Sequence, residues 1–142
     1  ARPDSVGAQV NITRQTLTLL MSHNYSHDLE LLKFLLASPA RYIGVMGPRK
    51  RTERMLSELA AGDAMSRLRE AGLARLHSPA GLDIGANAPA EIALSIVAEM
   101  RAVLDGRRGG MLRERRGSIH GSPSDGERVP LAEEQALQVT VA

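Results

Sequence analysis

The chain contains no cysteine and no tryptophan, and its aromatic residues are three: Tyr25, Phe34 and Tyr42. Without a thiol it can form no disulfide framework, no thiolate metal site and no cysteine nucleophile. With three aromatic rings it lacks a platform on which bases could stack. Charge of one sign is also missing. Residues 1–105 carry 12 basic and 11 acidic side chains and residues 106–142 carry 6 and 5, so neither part shows the lopsided field of a nucleic-acid binder. No apolar run approaches the length of a membrane span, and the opening ARPDSVGAQVN has no signal-peptide core. The expectation is a soluble, cytoplasmic protein without nucleic-acid or membrane partners. Four motifs are absent as well: G-x-G-x-x-G, the P-loop, G-x-S-x-G and H-E-x-x-H. Without the first, a dinucleotide fingerprint cannot be claimed.

What is present is enough for one modest core in 142 residues, built from Leu, Ile, Val, Met and Ala. TLTLLM, residues 16–21, reads as a short buried strand. Ser26 can cap a helix over about 27–37, in which Leu29, Leu32, Leu35 and Leu36 share a face and Pro39 ends the run. YIGVMG, 42–47, is a second strand. It leads into the helical RKRTERMLSELAAG, closed by Gly62, and a shorter helix is expected over 64–71, stopping at Gly72. LARLHSPAGLDIG reads as strand and loop, and a helix is predicted over 89–104. Short apolar strands alternating with helices of this length predict an α/β fold with a parallel, Rossmann-like sheet. After Asp105 the sequence GRRGGMLRERRGSIHGSPSDGER loses all periodicity, which predicts a Gly/Arg/Ser-rich flexible tail over 106–142 behind a stub at 1–15 and a domain at 16–105, while the terminal VPLAEEQALQVTVA could add a short element.

Ligands of open α/β sheets bind beyond the carboxyl ends of the strands. Three segments are expected there. SHNYSHD offers His23, His27 and Asp28, but a helix beginning after His23 spoils the spacing two metal-binding histidines would need, so no metal site is expected. GVMGPRKRTER crowds Arg49, Lys50, Arg51 and Arg54 into the first turns of a helix, where the macrodipole favours acids. A bound anion would reverse that balance; the alternative is a solvated basic face. In GLDIGANAPAEIALSIVAEM, Gly81 and Gly85 bracket Asp83, Pro89 and Glu91 suit a helix start, and Glu99 falls on the apolar stripe of the helix. A carboxylate there needs a partner, in the body or in a ligand.

MSHNYSHD, YIGVMGPRKR and HSPAGLDIGANAPAEIALSIVAEM, in this order and separation, resemble the C-terminal Rossmann-like domain of the XdhC/CoxI family, the xanthine dehydrogenase accessory factors. The resemblance covers about residues 16–104. It implies a factor that binds molybdenum cofactor, supports its sulfuration, and delivers it to a molybdenum hydroxylase client of the xanthine dehydrogenase or CO dehydrogenase type, without turnover of its own. With no thiol in the chain, a cysteine desulfurase would be the sulfur donor. The implied cofactor-binding positions are His23, Asp28, Gly44, Gly47, Arg49, His77, Gly81, Asp83, Gly85, Glu91 and Glu99, with Pro79, Pro89 and Ser95 completing the motifs. Pro48 stands where the family usually has serine, Ala88 where it has threonine, and Ala80 where it has a larger aliphatic. The family's first strand, glycine loop and helix have no counterpart here, nor has its separate N-terminal domain. An open strand edge and bare helix faces would result, from which a homodimer is expected. Two other functions are compatible with such a chain: an NAD(P)-binding Rossmann-type oxidoreductase, disfavoured by the missing fingerprint, and a non-catalytic oligomerisation module.

Overall fold

The computed structural model describes residues 10–60 and 71–120 and the backbone of a strand at 138–141. Its elements are β1 (Thr16–Leu20), α1 (Tyr25–Ala37), β2 (Tyr42–Val45), α2 (Arg49–Leu59), β3 (Leu76–His77), α3 (Pro89–Leu104), a single turn of tighter helix (Leu112–Glu114) and β4 (Gln138–Val141). The chain divides into two compact units. One comprises 1–80 with 134–142, the other 81–133.

The first unit is a parallel four-stranded sheet in the order β3-β2-β1-β4. The α/β Rossmann-like expectation therefore holds. Both β1 and β2 are almost wholly buried, as expected of strands in a sheet covered on both faces, which explains their unbroken apolar character. Leu31, Leu32, Leu35 and Leu36 of α1 pack with Leu20, Ile43, Val45 and Met55 into the core. Each such side chain stabilises the fold by about 1.5–3 kcal/mol relative to exposure.

Three boundaries differ from expectation. Helix α1 starts at Tyr25 because Asn24, not Ser26, is its cap: Asn24 Oδ1 accepts from the His27 amide at 3.1 Å. Helix α2 ends at Leu59, ahead of Gly62. The helix expected over 64–71 falls mostly outside the described residues, but residues 71–73 are helical, so Gly72 does not stop it.

The largest difference concerns the tail. Residues 106–120 bury no side chain, in keeping with their composition. The end of the segment, however, is β4, paired in parallel with β1 in the register Thr16↔Gln138 to Leu19↔Val141. The edge of β1 expected to lie open is covered by the chain's own last strand. Backbone pairing needs only an extended segment that can reach the edge, and local composition does not report reach. Among the described residues no helix is long and apolar enough to cross a membrane.

Candidate functional site

The chain runs from β1 outward through β2 to β3 and then returns to the other side of β1. The change of direction between β1 and β4 is a topological switch point, where open parallel sheets hold ligands beyond their carboxyl ends. Because β1, β2 and β3 run parallel, the segments that follow them lie along one edge of the first unit. Backbone bonds knit these segments together: Met46 N donates to Leu20 O at 2.8 Å and Ala80 N to Val45 O at 3.0 Å.

At this edge Asp28, 1% exposed, is the hub of a polar network. Arg51 Nη1 donates to Asp28 Oδ2 at 2.7 Å, and Ser22 Oγ donates to Asp28 Oδ1 at 2.5 Å. The pair ties the loop after β1 to the first turn of α2. Beside it, Ser78 Oγ donates to Thr52 Oγ1 at 2.7 Å, tying the segment after β3 to the same turn. Arg51 also lies over the Tyr25 ring, 5.8 Å from its centroid, while Tyr25 Oη donates to Glu58 Oε1 at 2.8 Å. Desolvation, then that bond to a carboxylate, raises the Tyr25 hydroxyl above the usual phenol range.

Helix α2 opens without a side-chain cap, because Pro48 at the cap has no side-chain acceptor, and its first turn holds Arg49, Lys50 and Arg51 and no acid. Its leading amides therefore have no capping side chain, at the positive end of the macrodipole. Arg49 and Lys50 are exposed there. Among the described residues, Arg51 Nη2 is buried and has no hydrogen-bond partner. A buried donor left without an acceptor costs about 1–3 kcal/mol, more for a charged group. The first turn of α2 therefore combines the exposed cations Arg49 and Lys50 with one buried guanidinium nitrogen, Arg51 Nη2, that has no hydrogen-bond partner among the described residues.

The remaining expected positions in the first unit have structural explanations. His23 is exposed in the loop after β1. Gly44 lies under the ring of Tyr42, and an added Cβ would meet Tyr42 Cε1 at 2.7 Å and Leu19 Cδ1 at 2.9 Å. The glycine thus makes room for a side chain of the same sheet. His77, paired in register with Gly44, stacks on that ring at 4.4 Å between centroids. Gly47 turns the chain after β2 with φ +114°, its Cβ direction open. Arg75, which carried no sequence signal, caps α1: Nη1 donates to Ser38 O at 3.0 Å and also to Ala40 O, and Nη2 to Leu36 O at 3.4 Å. Desolvation holds its guanidinium below the usual arginine range.

In the second unit, Glu99 Oε2 accepts the Gly81 amide at 2.8 Å. That is the partner its place on the stripe requires. Gly81 adopts φ +117° and sits so close to α3 that a Cβ would meet Ser95 Oγ at 2.5 Å, while Leu82 N donates to Ser95 O at 3.1 Å. Asp83 is exposed, and Gly85 turns the loop with φ +70°. Glu91 Oε2 accepts from the amides of Asn87 at 2.9 Å and Ala88 at 3.0 Å, the half of a capping box that survives with alanine at the cap. These two bonds hold the Glu91 carboxyl below the usual carboxylate range. The structure thus gathers Asp28, Gly47 and Arg49 near one edge of the first unit. Gly81, Asp83, Gly85, Glu91 and Glu99 belong to the second unit.

Comparison with known proteins agrees with this architecture. The chain is 32% identical over 100 residues to a probable xanthine dehydrogenase subunit of Bacillus subtilis strain 168, covering 70% of this chain and 27% of that protein. It is 32% identical over 112 residues to the uncharacterized protein YqeB of Escherichia coli strain K12, covering 77% and 20%. A crystal structure of a xanthine dehydrogenase from Bacillus halodurans superposes with a TM-score of 0.60 at 34% identity, covering 76% of this chain and 29% of that one. The chain therefore spans less than a third of the length of each of these relatives. The family model of the XdhC Rossmann domain matches residues 1–100, and the chain belongs to that family.

Proposed function

We propose that this chain serves a molybdenum hydroxylase of the xanthine dehydrogenase type as an accessory domain, holding molybdenum cofactor by its anionic group at the start of α2. The observation that carries the reading is the uncapped, acid-free first turn of α2 beside the partnerless Arg51 Nη2, at the carboxyl edge of a parallel sheet. Membership in the XdhC family and a relative named for xanthine dehydrogenase support the client class.

The donors present suit a phosphate monoester such as the cofactor carries. Leading amides of α2, the side chains of Arg49 and Lys50, and Arg51 Nη2 would hold it, with Asp28 fixing the guanidinium in place. The bound group would supply the molybdenum and its dithiolene sulfurs. The protein's part is to hold and orient the group and to hand it to the client. Sulfuration requires a donor protein, a cysteine desulfurase by chemistry, because the chain has no thiol.

The experiment is to purify the protein from a host that makes the cofactor and to quantify bound pterin by fluorescence after acid oxidation. Wild type should carry pterin, and Arg49→Ala should weaken binding by about tenfold or more, corresponding to about 1.5–3 kcal/mol for one charge-assisted contact. The difference should narrow as salt rises. Equal pterin in both proteins, or none in wild type, would overturn the reading. A nicotinamide nucleotide in its place would favour the oxidoreductase.

A further inference from the structure

The near balance of charge over 106–142 conceals a division. Residues 107–120, RRGGMLRERRGSIH, hold five of its six cations and only one of its five acids. All five cations are arginines. With Glu114 they give the stretch a net charge of +4, His120 being neutral, against +2 for the whole chain. The same stretch holds Met111, Leu112 and Ile119, which are 62%, 68% and 56% exposed. Cations and apolar side chains thus share one short piece of the second unit's surface.

Local bonds give the stretch a definite shape. Gly106 turns the chain with φ +63° at the end of α3, and Arg107 N donates back to Ala102 O at 2.7 Å. Gly109 then passes so close to Leu82 that an added Cβ would meet its Cδ2 at 2.7 Å. Glu114 N donates to Met111 O at 3.0 Å and Arg115 N to Leu112 O at 3.1 Å, closing the single helical turn. Arg115 Nη1 donates onward to Ile119 O at 3.3 Å. Fixing a backbone costs conformational entropy, which folding ordinarily offsets by burial. Here no side chain is buried, and the shaped backbone keeps arginines and apolar groups at the surface, where a second molecule can cover both.

The combination selects the class of partner. Arginine without lysine, mixed with methionine and other apolar residues, is the composition favoured where proteins meet, since interfaces enrich arginine and methionine and deplete lysine. A guanidinium meets a carboxylate through a parallel pair of N–H bonds and gives up its water more readily than an ammonium. A nucleic acid would use the arginines but set Met111, Leu112 and Ile119 against phosphate and sugar. The stretch also has no aromatic ring on which a base could stack. A lipid surface is met by a long amphipathic helix, whereas helix here is confined to Leu112–Glu114, between Gly110 and Gly117. We infer that residues 107–120 are a docking surface for a partner protein whose contacting segment carries carboxylates around apolar side chains. Arg113 and Arg116, both exposed, hold the carboxylates, and Met111 and Leu112 receive the apolar groups. The inference uses no residue of the α2 site and stands apart from the cofactor reading.

The probe is a fluorescein-labelled synthetic peptide of repeated Glu-Glu-Leu, titrated with the full chain and followed by fluorescence anisotropy. Wild type should bind it, with an affinity that falls as salt rises. Polyglutamate of the same length, which has the charge without the apolar groups, should bind about threefold or more weakly. The double variant Arg113→Ala, Arg116→Ala should weaken peptide binding by about tenfold or more, and Leu112→Ser by about threefold. Their circular dichroism should match wild type, since all three side chains are exposed. Arg14→Ala and Lys33→Ala, which remove exposed cations of the first unit, should bind as wild type does. No binding by wild type, equal binding by the arginine variant, or equal binding of polyglutamate would each overturn the inference. Tighter binding of a polythymidine oligonucleotide or of phosphatidylserine vesicles would do so as well, making the surface one for nucleic acid or for membrane. Binding that emerges only when Asp125, Glu127, Glu133 and Glu134 are changed to amides would assign the arginines to the chain's own acids, and would equally overturn it.

Discussion

In the first unit, the leucines of α1 meet Ile43, Val45 and Met55 in one core, and the buried Asp28 pairs with the half-buried Arg51 across the loops above it. In the second, α3 buries Ile96 and Met100 on one side and holds Leu94 and Val97 out on the other. The first unit is organised around a sheet, in which β1 and β2 are buried on both faces. The second has one long helix and no strand among its described residues, and a lone helix cannot cover two apolar faces by itself. The difference teaches where the stability of this chain resides.

Four substitutions sharpen or break that comparison. The largest effect is expected from Arg51→Ala, which leaves Asp28 as an uncompensated buried charge and should cost about 3–5 kcal/mol in urea unfolding. A loss below about 1 kcal/mol would mean that Asp28 finds water or another donor, and that the network is not what fixes the α1–α2 edge. Gly44→Ala comes next. The added methyl meets the buried Tyr42 ring and Leu19, so about 1–3 kcal/mol should be lost, with broadening of the Tyr42 ring signals in nuclear magnetic resonance. Unchanged stability would show that the ring can move aside.

Glu99→Gln tests the second unit. It keeps an acceptor for the Gly81 amide but removes its charge, so thermal or urea unfolding should show a loss of about 1 kcal/mol. Faster exchange of the Gly81 amide proton should accompany it. If that amide keeps its protection, Glu99 is not the brace of the loop. The smallest effect is expected from Leu94→Ala. It should shift unfolding by less than about 0.5 kcal/mol, because the side chain is exposed. A core-like loss of about 2–5 kcal/mol would erase the contrast between the two units.

The amino-acid sequence by itself determined the elements that rest on short-range rules. Strands at 16–20 and 42–45 follow from brief apolar runs, and α3 begins and ends where Pro89 and Asp105 place it. The parallel α/β class followed from the alternation of those elements, and the basic opening of α2 was visible in four neighbouring cations. Glu99 announced that it needed a partner, because a carboxylate on an apolar stripe cannot be left alone. Tertiary structure alone decided who the partners are. Arg51, rather than its neighbours Arg49 or Lys50, reaches Asp28, 23 positions away; Arg75 closes the end of α1 from 35 to 39 positions away; and Gly44 serves the ring of Tyr42. The docking of β4 on β1 belongs to the same class: the terminal VPLAEEQALQVTVA can be read as a short element, but its residues carry no local sign of the edge they join. Periodicity and capping act over one or two turns and are written into neighbouring residues. Pairings across tens of residues depend on which groups the folded sheet brings within a few ångströms, and that is fixed only once the core has formed.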